Sequence, residues 1–371
     1  MRKILAIALV SLLVVGFIGG ITIAKGSNEA RVIIGFKGLP NAAAITAVGG
    51  TINATYDIIP AIAATVPEAA INGLKNNPLV DYVEYDAVAY ALAQTTPWGI
   101  TRVNADDVWA TGNRGDNIKV CIIDTGVDMD HQDLAYLGGY DYVNGDAYPD
   151  DDHGHGSHCA GISTALDNTV GVIGVAPLAH LYATKVLNSA GSGYISWIVS
   201  GINWAVNNGC NVLSMSLGST SGTTTLSNAC TNAWNAGRLI VCAAGNSGNA
   251  AGTGDNVLYP ARYTPCIAVA ATDSNNVRAS FSSTGPKVEL AAPGVSIYSC
   301  YKNNSYTTMS GTSMACPHVT GVAALVWAAQ PGVTNQHVRD AMDFTATDLG
   351  AAGRDSLYGY GLVNAQLAVG Y

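Results

Sequence analysis

Three side chains able to do nucleophilic chemistry together stand at the ends of regular runs. Asp124 closes the apolar run VCIID and is followed by Thr-Gly. His155 lies in HGHGSHCAG, where a helical pattern begins. Ser313 lies in GTSMACPHVTG, also at a helix start. A serine hydroxyl is a poor nucleophile until a base takes its proton, and the pKa of histidine suits that task near neutral pH. A carboxylate fixes the imidazole tautomer and stabilises the imidazolium as it forms. Alone, Asp124 reads as an ordinary turn or cap residue; in the order Asp, His, Ser the three read as a triad for acyl transfer. Asn246, after the apolar strand of VCAAGNSG, offers a side-chain amide that with the Ser313 backbone N–H makes an oxyanion hole. The helix opening at Ser313 adds free N–H groups and a positive dipole end.

These residues need a rigid frame, and the surrounding pattern supplies one. IKVCIID, HLYATKVL, CNVLSMSL, RLIVCAAGN and CIAVAATD read as buried strands, whereas HGSHCAGISTAL, ISWIVSGINWAVNNG and SMACPHVTGVAALVWAAQ read as helices. Strand and helix in alternation imply an α/β domain, a parallel central sheet with helices on both faces. In open sheets of that kind the site lies at the carboxyl ends of the strands, where Asp124 and Asn246 fall.

Ahead of this frame the chain has two other characters. Arg2 and Lys3 precede an apolar run from Ile4 to about Ala24, so residues 1–26 are expected to be a secretory signal peptide and the product to be secreted. A run of this length also nearly spans a bilayer. Residues 27–92 carry strand-like RVIIGF and IIPAIAATV, helix-like AAINGLKNN and a last strand-like VDYVEYDAVAY. That alternation suggests a small α+β module with little core of its own. Residues 93–371 make the large domain.

Composition bounds the partners. Of 371 residues, 49% are apolar and 12% charged, which fits a large buried core. The formal net charge of −9 argues against nucleic acid and anionic lipid, which need clustered Lys and Arg. Eight cysteines fall between Cys121 and Cys316 without a C-x-x-C pair. An even number in an exported protein permits disulfides, yet Cys121, Cys242 and Cys266 sit in apolar runs as small hydrophobes do. A mixture of thiols and bridges is expected, with Cys266–Cys300 the first pair to examine.

IIDTGVD, HGSHCAG, MSLGS, AAGNSG and GTSMACPHV, in that order, resemble the five core motifs of the subtilisin family of serine proteases. The resemblance runs from about Pro97 to Tyr371. It implies a serine endopeptidase acting on proteins and peptides through an acyl-enzyme on Ser313, with no lost catalytic residue. By resemblance, Ser216, Leu217 and Gly218 pair with the substrate backbone on one side. Gly191, Ser192 and Gly193 bracket it on the other, an arrangement of β-augmentation that favours broad specificity. Leu258, before Tyr259-Pro260, stands where well-known bacterial members carry glycine at the base of the primary pocket. A shortened apolar pocket follows, suited to medium apolar side chains. Ser247 and Cys159 are further departures, replacing an acidic residue and a valine.

The resemblance also makes 27–92 a ferredoxin-like prodomain, an intramolecular chaperone and transient inhibitor. Autocleavage is expected between Leu92 and Ala93, leaving a monomer without stable membrane association. A structural Ca²⁺ is implied at Gln94, Asp133 and Asn168 and the carbonyls of Leu166, Val170 and Val172, all oxygen donors of the kind this ion takes. His153, His155 and His158 in DDDHGHGSH suggest zinc, but His155 is claimed by the triad and His158 by a structural place in the family's HGxH pattern. His153 is expected to be a solvated loop residue.

Overall fold

The computed structural model describes residues 29–87 and 94–371, so the expected signal peptide and the Leu92–Ala93 junction lie outside the described residues. The chain divides into two compact units, Met1–Ala91 and Leu92–Tyr371.

The first unit runs β1 (Glu29–Phe36), α1 (Ala42–Thr46), β2 (Thr51–Thr55), β3 (Ala61–Pro67), α2 (Ile71–Lys75) and β4 (Val80–Tyr85). Its four strands form an antiparallel sheet in the order β2-β3-β1-β4. This is the split β-α-β plan of ferredoxin-like domains. Val32, Ile34, Phe36, Ile45, Ile62 and Leu74 meet in its core. Two of these elements leave no signal in the sequence. In β2 every residue but Ile52 is exposed, so TINAT shows no two-fold apolar alternation. The five-residue α1 is too short to display a helical period and is set by a cap, the Ala44 N–H donating to Asn41 Oδ1 at 3.2 Å.

The second unit runs α3 (Trp98–Arg102), α4 (Ala105–Trp109), β5 (Lys119–Asp124), β6 (Tyr136–Asp141), α5 (His155–Thr164), β7 (His180–Lys185), α6 (Ile195–Asn207), β8 (Val212–Met215), α7 (Thr224–Asn235), β9 (Leu239–Ala243), β10 (Cys266–Thr272), β11 (Val288–Pro293), β12 (Ile297–Tyr301), β13 (Ser305–Met309), α8 (Thr312–Ala329), α9 (Asn335–Phe344) and α10 (Ala365–Val369). Seven strands form one sheet in the order β11-β10-β9-β8-β5-β7-β6, every pair parallel. Because successive side chains of a strand point to opposite faces, the sheet feeds two cores. Val120, Ile122, Val241 and Val269 face one core, with α5 and α8; Cys121, Ile123, Cys242 and Ala268 face the other, with α6 and α7. Burial on both faces explains the unbroken apolar strand runs.

Cys300 and Cys266 lie in these two different cores, on opposite faces of the sheet. That separation overturns the Cys266–Cys300 pair, and all eight cysteines are free and buried. Cys266 neighbours Cys230 and Cys242 instead.

Candidate active site

Asp124 is the last residue of β5 and is fully buried. Helix α5 opens at His155 right beside it. The approach is possible because residue 156 is glycine: a Cβ there would collide with the Gly126 carbonyl oxygen. His155 Nδ1 lies 2.6 Å from Asp124 Oδ1. An ionised carboxylate only accepts hydrogen bonds, so the ring proton belongs on Nδ1 and Nε2 is left with its lone pair. Burial alone would lower the pKa of His155. The Asp124 charge and hydrogen bond outweigh it, with help from Asp151, and the pKa ends above its ordinary value.

Ser313 is the second residue of α8. Pro317 sits four residues on and has no N–H, so the Ser313 carbonyl receives no helical hydrogen bond from it. That carbonyl accepts instead from Ser216 Oγ at 2.8 Å and Cys159 Sγ at 3.4 Å. These two bonds tie the start of α8 to the end of β8 and to the His155 helix. The Ser313 hydroxyl donates to the Ser216 carbonyl at 3.3 Å.

Asn246 follows β9. Its Oδ1 accepts from the Thr312 N–H and from Thr312 Oγ1, both at 2.9 Å. The amide is thereby oriented, and its Nδ2 is left beside Gly311, 3.4 Å from where a Cβ on that glycine would be. Nδ2, the Ser313 N–H and the positive end of an 18-residue helix therefore gather in one place.

A cleft of about 750 Å³ runs along this edge. His155, Ser216, Leu217 and Gly218 line it, and Gly191, Ser192 and Gly193 line it from the loop after β7. Leu258 packs at the back of the 216–218 segment. A Cβ on Gly218 would come within 2.8 Å of its Cδ1, and one on Gly245 within 2.7 Å of its Cγ. Apolar bulk thus fills the space between the 216–218 wall and the Asn246 turn.

His153 is placed differently from the solvated residue expected. It lines the same cleft, its ring centroid 6.2 Å from that of His155, and its Nδ1 is buried without a hydrogen-bond partner. His158 is interior, as a structural residue would be. Its Nε2 lies 3.1 Å from the Ile297 carbonyl and 3.2 Å from the Thr307 carbonyl, and burial lowers its pKa to about 4.

The loop 166–172 closes on Gln94 and Asp133. The Gln94 amide nitrogen lies 2.6 Å from the Leu166 carbonyl, 3.1 Å from the Val172 carbonyl and 3.4 Å from Asn168 Oδ1. Asp133 is fully buried and accepts from Asn168 Nδ2 and the Val172 N–H, both at 2.7 Å. Of the expected donors, only the Val170 carbonyl has no contact in this group, though its N–H donates to Asn168 Oδ1 at 2.7 Å.

A parallel sheet whose carboxyl edge carries a buried aspartate paired with a histidine, a helix-start serine and an oriented amide has the build of an α/β serine hydrolase. The model of the subtilase family matches residues 115–361. Subtilisin E of Bacillus subtilis (strain 168) is 44% identical over 352 residues, covering 93% of this chain and 91% of that protein. Subtilisin DY of Bacillus licheniformis is 52% identical over 277 residues, covering 74% of this chain and 99% of that protein. A thermostable alkaline protease of Halalkalibacterium halodurans is 46% identical over 310 residues, covering 84% and 83%. The chain belongs to the subtilase family and is a subtilisin-like serine endopeptidase.

Proposed function

We propose that the chain cleaves peptide bonds through an acyl-enzyme on Ser313, with His155 as general base and acid, Asp124 orienting it, and Asn246 with the Ser313 N–H as the oxyanion hole. The observation carrying this reading is the 2.6 Å Asp124–His155 contact, which leaves Nε2 unprotonated at the edge of the cleft. In the productive rotamer Ser313 Oγ leaves the Ser216 carbonyl and donates to Nε2. Catalytic hydrogen bonds are commonly completed only when substrate binds. His155 takes the proton as Oγ adds to the scissile carbonyl, and the two donors meet the oxyanion. The proton then passes to the leaving amine, and water repeats the sequence on the ester.

An extended peptide fits between residues 191–193 and 216–218, its backbone bonding to both edges. Leu258 then sets the P1 preference, leucine or methionine above phenylalanine, and all of these above lysine. A lysine ammonium would lose its water there with no carboxylate to replace it. The oxygen-rich cluster of Gln94, Asp133, Leu166, Asn168, Val170 and Val172 fits a structural Ca²⁺. The Gln94 amide already faces three oxygens, and turning it over, which exchanges O and N in place, makes it a fourth donor. The ion would clamp the 166–172 loop. We assign 1–26 to export, 27–92 to a self-inhibiting prodomain, and the Leu92–Ala93 bond to self-processing that releases a monomeric, extracellular enzyme. Among the described residues no helix is long and apolar enough to cross a membrane.

The test is N-terminal sequencing of the secreted product from wild type and Ser313→Ala, with casein hydrolysis and labelling by a serine-directed fluorophosphonate. Wild type should begin at Ala93, hydrolyse casein and take the label. Ser313→Ala should stay uncleaved and unlabelled, with turnover down by about 10⁶, the size of loss that removing the nucleophile causes in a subtilisin. A processed, labelled Ser313→Ala protein ends the proposal.

A further inference from the structure

A second buried aspartate links the two halves of the acid–base pair. Asp151 is 4% exposed and accepts five hydrogen bonds. Its Oδ1 takes the Thr125 hydroxyl at 2.8 Å, the His153 N–H at 3.1 Å and the Gly154 N–H at 2.7 Å. Its Oδ2 takes the Ser157 N–H at 2.8 Å and the Ser157 hydroxyl at 2.7 Å. These partners flank the catalytic pair. Thr125 follows Asp124, and its N–H donates to Asp124 Oδ1 at 2.7 Å. The Thr125 hydroxyl oxygen also accepts from the Gly156 N–H at 2.9 Å. Gly154 and Gly156 are the two neighbours of His155. One carboxylate therefore holds both the strand end that carries Asp124 and the helix start that carries His155.

The Thr125 carbonyl is held from the other side. Lys185, buried to 1% exposure, donates to it at 2.7 Å, to the Leu187 carbonyl at 3.0 Å and to Asp152 Oδ1 at 2.6 Å. A catalytic hydrogen bond of 2.6 Å between two separate elements needs such bracing, because a misplacement of about 1 Å can cost about 10² in rate.

We propose that Asp151 is a positioning residue for the acid–base pair: through Thr125 and the N–H groups around His155 it fixes the Asp124–His155 contact during turnover. The proposal rests on the triad reading above. Asp151 touches neither substrate nor the reacting atoms. Its negative charge also faces His155 across the helix start, in company with Asp124, His153 and His158. On its outer side lie Asp128, Asp130 and Asp150, in an acidic recess they share with it. Asp152 next to it is held by Lys185, and Lys302 donates to the Asp152 carbonyl at 2.7 Å.

Asp151→Asn keeps one accepting oxygen but turns an NH₂ toward the Ser157 N–H, so one side of the brace is lost at nearly constant volume. The full-length protein is expressed, allowed to process, and its active sites are counted with a fluorophosphonate. The expected result is a kcat lower by about 10- to 100-fold with KM little changed. The acid limb of the pH–rate profile should move to lower pH, and the low-field proton resonance of the Asp124–His155 hydrogen bond should shift or broaden. Thr125→Val, which removes only the hydroxyl of the link, should lower kcat in the same way. Thr125→Ser, which restores the hydroxyl, should recover most of that loss. A folded Asp151→Asn enzyme with wild-type kcat per titrated site, an unmoved pH limb and an unchanged proton resonance overturns the proposal. So does a change confined to thermal stability. If Asp151→Asn does not fold, the Thr125 pair decides by the same criteria. Hydrolysis by Ser313→Ala would refute the triad reading instead.

Discussion

Asp124 and Asp133 both lie in the second unit with no exposed surface, and they are matched in opposite ways. Asp124 meets a protein base, His155, at 2.6 Å, as well as the Thr125 N–H at 2.7 Å. Asp133 meets neutral donors: Asn168 Nδ2, the Val172 N–H and the Tyr306 hydroxyl, the last at 3.2 Å. Burial pushes the Asp133 carboxyl up, against the pull of those three hydrogen bonds. A buried charge without a countercharge is costly. The first aspartate is matched by an imidazole, the group that in the proposed mechanism gains and loses a proton. The second has only neutral donors around it, and the proposed match for its charge is a cation from solution. On the functional proposal above, one site uses its charge for chemistry and the other for holding a loop.

The largest expected contrast comes from making the same substitution at both. Asp124→Asn should lower kcat about 10⁴-fold, the size this change has in triad proteases, because the amide favours the wrong imidazole tautomer. Asp133→Asn should leave kcat per titrated active site close to wild type and speed thermal inactivation. Equal kcat losses in the two variants, measured on fluorophosphonate-titrated enzyme, would erase the distinction.

Chelation sharpens it next. A ligand bound only to the native state stabilises by about 2.7 kcal/mol when present at about a hundred times its Kd. Excess EDTA should therefore raise the rate of thermal inactivation and autolysis, with the initial turnover intact. An unchanged inactivation rate, with no calcium found by elemental analysis of the untreated protein, would remove the cation from the account of Asp133.

A smaller effect belongs to Leu258, which packs behind the 216–218 wall of the cleft. One methylene in an apolar pocket is worth about 1–3 kcal/mol. On that scale Leu258→Gly should raise kcat/KM after phenylalanine relative to leucine by about 10-fold in matched peptides. A ratio that stays put separates Leu258 from the primary pocket.

The smallest is a displacement of the pH profile. The proposed mechanism needs neutral His155, whose pKa is raised by Asp124 against the effect of burial. Half-maximal activity on the acid side should thus fall above about pH 6.5, the ordinary value for histidine. The sign for stability is the reverse. The folded protein favours the protonated ring, so this contribution is complete below about pH 6.5 and is lost as pH rises through the raised value. Activity grows over the window in which that stabilisation disappears. A kcat/KM profile half-maximal below about pH 6.5 would mean that burial outweighs the Asp124 charge.

Much of the frame is legible in the chain. The five apolar strand-like runs correspond to β5, β7, β8, β9 and β10, and the three long helical patterns to α5, α6 and α8. Strands buried on both faces give unbroken apolar runs that need no knowledge of their neighbours. The edge strand β6 escapes because it is only partly buried and contains Gly138 and Gly139. Helix α7 escapes because TTLSNACTNAWN is polar on most of its surface, burying only Leu226, Cys230 and Ala233. The hairpin of β12 and β13 carries no long apolar run.

Residue type and local period alone establish which side chains are available for chemistry, and in what order. Aspartate, histidine and serine each sit where an apolar run ends or a helix begins, and no knowledge of distant neighbours is needed to see it. Distances and partners came from the folded arrangement. The opposing sides of the central sheet keep Cys266 from Cys300, because alternate residues of a strand point into different cores. His153 is turned into the cleft although its neighbours are charged and polar. Asp151 reads as one of three acidic loop residues, PDDDH, with nothing to single it out. Its role depends on five donors from Thr125, His153, Gly154 and Ser157, and the loop must close before those donors meet. Hydrogen bonds are directional and reach about 3 Å, so the partners of a buried carboxylate are set by the fold that brings them there.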